Sequence, residues 1–388
     1  MQMTEATYLT HCRLVLPDRV VDDASLLIDG DGCLSVGTDC PSVARELDLG
    51  GVLVLPGLID LHCDAIEKEV EPRAGVFFPY DFAIQQADRR NAAAGITTPY
   101  HAVSFADAEF GVRNRDLAAD LVRQVCDHMG EGVVDHRLHV RYEVTDVGAE
   151  KLIHELIEEN CVHLLSFMDH TPGQGQYRKT GTYEAYHLNN YERSVSDTEE
   201  FLETKRANAE GALERTQGLA WACQARGIPL ASHDDDAPDQ ARSVAELGVK
   251  ISEFPMNLET AAAFHSAGLS PMFGAPNVVR GQSQGGGMRA LDAVEREVIS
   301  LLCSDYHPAT LLPAVMKIAE QPGWTLPRAA ALVTVDAAAA AGLTDRGAIE
   351  TGRRADLVAV SNDARGIPTV ERVWVAGENV WTCRGRGG

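Results

Sequence analysis

The chain has 388 residues, of which 45% are hydrophobic and 23% charged, the balance of a soluble globular protein with room for one barrel-sized domain and a smaller one. Its formal net charge of -23 argues against nonspecific binding to nucleic acid or an anionic membrane, and no run of Lys or Arg offers a local exception. Nine cysteines without a C-x-x-C pair argue against a disulfide framework and a zinc knuckle, so most are expected to be reduced core residues. The opening MQMTEATYLTHCRLV lacks the basic flank and apolar run of a signal peptide, and no stretch approaches the roughly 18 apolar residues of a membrane span; the cytoplasm is the expected location.

In chain order, residues 7 to 55 carry short Val- and Leu-rich runs, CRLVLP, ASLLIDGDG and GVLVLPG, broken by Gly, Pro and Asp as antiparallel strands would be. From PGLIDLHCD onward the pattern alternates. Apolar segments ITTPYHAV, RLHVRYEV, VHLLSFMD, IPLASHD, VKISEF, PMFGAPN and SLLCSD are separated by amphipathic stretches at 81–94, 113–129, 148–160, 197–226, 239–247 and 257–267. With the opening segment these make eight strand candidates alternating with helices, the count of an α/β protein of the TIM-like (β/α)8 barrel type. No G-x-G-x-x-G follows the first strand to suggest a dinucleotide site in an open sheet. An alanine-rich helix is expected at 329–341, and the tail returns to strand-like runs in ADLVAV and RVWVAGENVWT. The expected division is a small β domain from residues 1–55 and 350–388 and a barrel from 56–349.

Six of the eight strand candidates end in ionisable side chains: His62 with Asp64, Glu143, Asp169 with His170, His233 with Asp234 to Asp236, Glu253, and Asp305 with His307. In a barrel these ends converge on one mouth. On a strand, side chains at i and i+2 face the same way, so His62 and Asp64 can share an ion. Imidazoles and carboxylates gathered in one cavity require a counter-ion; Zn2+ accepts this donor set and brings the pKa of a bound water towards 7. Metal-assisted hydrolysis is the chemistry this implies. Asp235 and Asp236 fit equally well as helix caps, and His136, His139, His154 and His163, in or beside apolar segments, read as structural.

The segments PGLIDLHCD, ASHDD, CSD and GRRADLVAV resemble the amidohydrolase superfamily, whose barrel carries one or two metals and whose terminal segments form a small β-sandwich. LHCDAIEKEVEPRAGVFFP, RYEV, FMDHTPGQGQY, SEFP, GAPNVVRGQSQGG and SDYHP are similar to one branch of it, which acts in the carbon-phosphorus lyase pathway on a methylphosphonate-bearing ribose 5-triphosphate. That branch has H-x-D where the wider superfamily has H-x-H, as here, although Cys63 and Ala65 stand where the branch leads one to expect Thr and Asn.

The resemblance implies His62, Asp64, His233 and Asp305 as ligands of one or two divalent ions, zinc first and Mn2+ or Fe2+ as alternatives. It also implies Glu143 as the metal-bridging carboxylate in place of an absent strand-four lysine, and Glu253 as the sixth-strand ligand. Asp305 would take a proton from water and His170 would serve as a ligand or as proton donor to the leaving group. Phosphoanhydride cleavage, to a 5-phosphate and pyrophosphate, is the implied reaction, with C-N hydrolysis as in other superfamily members the alternative and a noncatalytic acidic barrel the remote one. A triphosphate approaching an acidic protein needs cations, for which Arg73, Arg178, Lys179 and Arg280 are candidates. The glycines at 281 and 285–287 suit a phosphate-binding loop, and 170–196, with Tyr177, Tyr183, Tyr186 and Tyr191, reads as a lid. The expected partners are a small phosphorylated sugar and further copies of the chain in a homo-oligomer, with a dimer the candidate.

Overall fold

In a computed structural model of the chain, residues 6–106, 111–171, 203–283 and 287–383 are described. The N-terminal runs become β1 (Thr7–Val15), β2 (Val20–Ile28), β3 (Leu34–Val36), β4 (Arg45–Asp48) and β5 (Leu53–Pro56). The alternating region supplies β6 (Leu58–Cys63), β7 (Ile96–Phe105), β8 (Arg137–Glu143), β9 (Leu164–Met168), β10 (Leu230–His233), β11 (Ile251–Glu253), β12 (Ser270–Gly274) and β13 (Leu301–Cys303). The tail gives β14 (Leu357–Asn362), β15 (Pro368–Val375) and β16 (Glu378–Thr382).

Strands β6 to β13 lie side by side in sequence order, parallel throughout. Closure between β13 and β6 rests on a parallel bridge, Cys63 to Asp305, in which Asp305 N donates to His62 O at 2.9 Å and Asp64 N to Asp305 O at 3.1 Å. The barrel is filled by Ile59, Leu61, Tyr100, Leu164, Ala231, Ile251, Met272, Leu301 and Cys303, so polar strand-end groups are left at the carboxyl end. Helices follow where the amphipathic stretches place them, at Tyr80–Ala93, Arg115–Asp127, Ala149–Glu158, Ala212–Ala225, Ala241–Glu246 and Leu258–Ser266. Apolar faces of the second, third and fourth of these, carrying Leu121, Ile153 and Leu219 among others, pack with outward residues of β7 to β10.

Both termini join one sheet, in the order β16-β15-β14-β5-β1-β2-β3 with β4 also on β1, and it has its own core around Leu9, Leu26, Val54, Leu357 and Trp374. It is mixed rather than antiparallel, because β1 runs parallel to both β4 and β5. The β15–β16 hairpin turns through Ala376 and Gly377, both with positive φ (49° and 83°), the geometry a two-residue hairpin loop requires.

Besides the mixed sheet, three details depart from the sequence reading. PMFGAPN is not all strand: β12 stops at Gly274 and Ala275–Arg280 is helical, with Pro276 in its first turn, where a missing N–H costs nothing. The alanine-rich helix is two short ones, Leu326–Ala331 and Val335–Ala340, because the intervening carbonyls of Leu332 and Val333 accept from Leu302 N and Ile59 N on the barrel strands, at 3.1 and 2.8 Å. Cys126 and Cys161 form a disulfide at the ends of neighbouring helices, a pairing set by packing across 35 residues rather than by any local motif. Of the remaining cysteines, Cys12, Cys63, Cys223 and Cys303 are buried as expected, whereas Cys40 and Cys383 are exposed. Among the described residues no helix is long and apolar enough to cross a membrane.

Candidate active site

The bonds that close the barrel also assemble the first cluster. Because Asp305 is hydrogen-bonded to the backbone of residues 62 and 64, the ligand atoms of His62, Asp64 and Asp305 come within 4.8 Å of one another. Asp64 has left the strand, at φ -89° and ψ 7°, and heads the helix Ala65–Val70; its convergence with His62 comes from this turn, not from strand alternation. Asp305, Asp234 and Phe254 have φ of 55°, 57° and 53°, so the chain turns left-handed just beyond β13, β10 and β11. A positive φ is a strain that Asp tolerates better than most residues, and its repetition at three strand ends marks the mouth as a constrained site.

A second cluster shares His62. Its Nδ1 lies 3.1 Å from Glu253 Oε1, and His139 Nε2 lies 3.6 Å from the same oxygen. His139 was expected to be structural; it is indeed bonded at both nitrogens, to Leu61 O at 3.0 Å and Ser166 Oγ at 2.9 Å, yet it is part of this group. The third cluster is His170, His233 and Asp234. Asp234 Oδ2 stands 3.4 Å from His233 Nδ1 and 3.7 Å from His170 Nε2.

The electrostatics suit a cation. Burial, then Arg141 and His233 nearby, holds His62 well below its ordinary pKa, and burial takes His139 down to about 3 although Glu253 opposes it. Both are therefore neutral, the form that binds metal. Burial, followed by the charge of Asp64, pushes Asp305 well above the carboxylate range. Asp64 Oδ1 and Glu253 Oε2 are buried with no hydrogen-bond donor among the described residues. A divalent ion among these groups would satisfy the orphaned oxygens and relieve the Asp64–Asp305 repulsion.

Of the residues singled out in the sequence, His62, Asp64, Glu253, Asp305, His233 and His170 meet in these clusters. Glu143 lies outside all three. It accepts from Thr145 Oγ1 at 2.9 Å, faces His170 Nδ1 at 3.0 Å and pairs with Lys205 Nζ at 3.4 Å. Burial would raise Glu143, but Lys205 and His170 bring it down to about 2; burial would lower His170, but Asp234 and Glu143 lift it to about 9. A protonated His170 is thus clamped between two carboxylates. Arg73 and Arg280 are exposed, in segments that follow β6 and β12. Arg178, Lys179, the four lid tyrosines and residues 285 and 286 of the glycine cluster lie outside the described residues.

Asp235 is not a cap: its Oδ2 accepts from Ser232 Oγ and Ser252 Oγ, both at 2.6 Å, tying β10 to β11. His136 is structural as expected, bonded to His101 and facing Asp88 behind the barrel wall. Sequence reasoning missed His139, Arg141 and Lys205. The first two stand at i and i+2 before Glu143 in RLHVRYE, a period-two signal that was available. Nothing local flags Lys205, which reaches Glu143 across 62 residues of sequence, the difference of 205 and 143.

A parallel eight-stranded barrel with His, Asp and Glu clusters at its mouth defines a class of metal-binding hydrolase folds, and the chain belongs to the amidohydrolase family, whose model matches residues 95–380. Divalent metals are what that family normally binds. The chain is 33% identical over 378 residues, 96% of its length and 100% of the relative's, to the alpha-D-ribose 1-methylphosphonate 5-triphosphate diphosphatase of Escherichia coli strain K12. Its fold is also that of a prolidase complexed with N-methylphosphonate-L-proline, with TM-score 0.64, 15% identity and coverage of 97% of this chain and 100% of that one. An N-acetyl-D-glucosamine-6-phosphate deacetylase from Mycobacterium smegmatis matches with TM-score 0.63, 17% identity and coverage of 97% and 100%.

Proposed function

We propose that this amidohydrolase-family hydrolase cleaves the phosphoanhydride of alpha-D-ribose 1-methylphosphonate 5-triphosphate, giving the 5-phosphate and pyrophosphate. The observation that carries the reading is the similarity to the diphosphatase along that relative's whole length. His62, Asp64, Glu253, Asp305 and His233 would hold one or two divalent ions, for which zinc is our choice and Mn2+ or Fe2+ the alternatives accepted by nitrogen and oxygen donors. When bound, such an ion supplies Lewis acidity towards phosphoryl oxygens and water.

The chain's own groups would divide the proton work. Asp305, buried beside Asp64, receives the proton of the attacking water as the new bond forms at the phosphorus nearest the ribose. His170, protonated between Glu143 and Asp234, gives its proton to the pyrophosphate oxygen as the bridging P-O bond breaks. In this reading Glu143 orients and charges His170 rather than bridging two ions. The test is to incubate metal-replete enzyme with the ribose triphosphate and 18O-water. Pyrophosphate and 5-phosphate in equal amounts, with label on the 5-phosphate, are expected; orthophosphate as first product, or turnover of amides but not triphosphates, overturns it.

A further inference from the structure

Arg141 occupies β8 between His139 and Glu143, and alternation aims all three at the barrel mouth. Its side chain is only 7% exposed. One NH2 proton goes to His233 Nε2 at 3.1 Å, while Nε is buried with no acceptor. Among the described residues no carboxylate lies within ion-pair distance of it, although Asp64, Glu143, Asp234, Glu253 and Asp305 are all at the same mouth. The one other buried guanidinium among the described residues contrasts with this: the Arg346 side chain is 4% exposed and faces three aspartates.

A guanidinium is always charged and offers five donors in a planar fork that matches carboxylate or phosphoryl oxygens. With one NH2 bond to an imidazole and a buried Nε that has no acceptor, the fork is not filled by the described residues. A cation at the neighbouring clusters would also repel it unless an anion lay between them. Taking the phosphoanhydride reading above as its basis, we infer that Arg141 is a specificity-determining residue that receives the non-bridging oxygens of the phosphoryl group at the barrel mouth, and so selects a phosphoryl anion over a neutral amide. It would act in addition to the exposed Arg73 and Arg280, which can attract the outer phosphates but are not positioned by burial.

The test uses the metal-replete enzyme, inorganic pyrophosphate as the anionic probe and acetohydroxamic acid as a metal-directed probe without phosphate, with metal content measured for every protein. Arg141→Met should keep its metal and its hydroxamate affinity while pyrophosphate binding, followed by calorimetry, weakens about 10- to 100-fold, the range for a charge-assisted hydrogen bond. Arg141→Lys, which keeps the charge but not the fork, should fall between the two and supplies the same comparison if the Met variant does not fold. Unchanged pyrophosphate affinity in both variants overturns the inference, as does a loss that tracks loss of metal, which would make Arg141 a support for His233. Failure of the wild-type enzyme to bind pyrophosphate or to cleave any triphosphate would instead remove the underlying reading, and it is read from the wild type alone.

Discussion

Two groups of buried charge sit at opposite ends of the barrel and are balanced in opposite ways. At the amino-terminal end, Asp135 meets Arg346, Arg137 at 3.1 Å and Arg354 at 3.0 Å; Arg354 also holds Asp356, and Arg346 also holds Asp345 at 2.8 Å. Three arginines face three aspartates, and this network fastens the barrel to the terminal sheet, since Asp135 lies just before β8 while its partner Arg354 lies just before β14, beside Asp356, which accepts from Ala376 N at 2.8 Å. At the mouth, Arg141, Lys205 and His170 stand among a larger set of carboxylates and imidazoles, and among the described residues Asp64 Oδ1 and Glu253 Oε2 still lack donors. The lesson is that burial of charge by itself says little. A closed network holds the fold, whereas an open one is built for something the chain does not supply.

The largest expected effect breaks the mouth alone. Asp305→Asn should lower phosphoanhydride turnover by about 10²- to 10⁴-fold, because a carboxamide cannot take the proton of the attacking water, while the midpoint of chemical unfolding barely moves. A turnover within a few-fold of wild type would separate Asp305 from the chemistry.

Arg346→Met breaks the other end. Removing the buried partner leaves Asp135 and Asp345 undercompensated and should cost on the order of 3 kcal/mol in denaturant unfolding, with kcat per folded molecule retained. Loss of turnover at full folding would erase the distinction between the two ends.

Acid sharpens the comparison. Burial would raise Asp135, but Arg137 and Arg346 hold it well below the carboxylate range. A depressed carboxyl contributes stability that is full above its unfolded pKa, about 3.9, and disappears as pH falls through the folded value. Wild type should therefore exceed Asp135→Asn in stability at neutral pH, and the gap should narrow below about pH 4. A gap that stays constant from pH 7 to pH 3 would rule out this linkage.

The smallest effect is a control that touches neither network. Asn114 caps the helix Arg115–Asp127 by accepting from Asp116 N, so Asn114→Ala should cost about 1 kcal/mol without changing turnover or the acid profile.

Much of this was legible in the residues themselves. Eight apolar segments alternating with amphipathic stretches describe a parallel barrel because each buried strand must be covered by a helix, and their periods differ in a way that survives in one dimension. Ionisable residues at strand ends could be read as a mouth for the same reason: all eight parallel strands end on one side. Contacts made across the barrel were decided only in three dimensions. Asp64 meets His62 through a helix start hydrogen-bonded to the last strand, and Cys126 finds Cys161 because two helices pack. Glu143 turns to Lys205 and His170 instead of joining the clusters. Among the described residues Arg141 has no carboxylate partner at a mouth that holds several carboxylates. Which charge ends up beside which is a matter of a few ångströms between strands far apart in the chain, and Coulomb and desolvation energies change steeply over that range, so residue order alone carries no record of it.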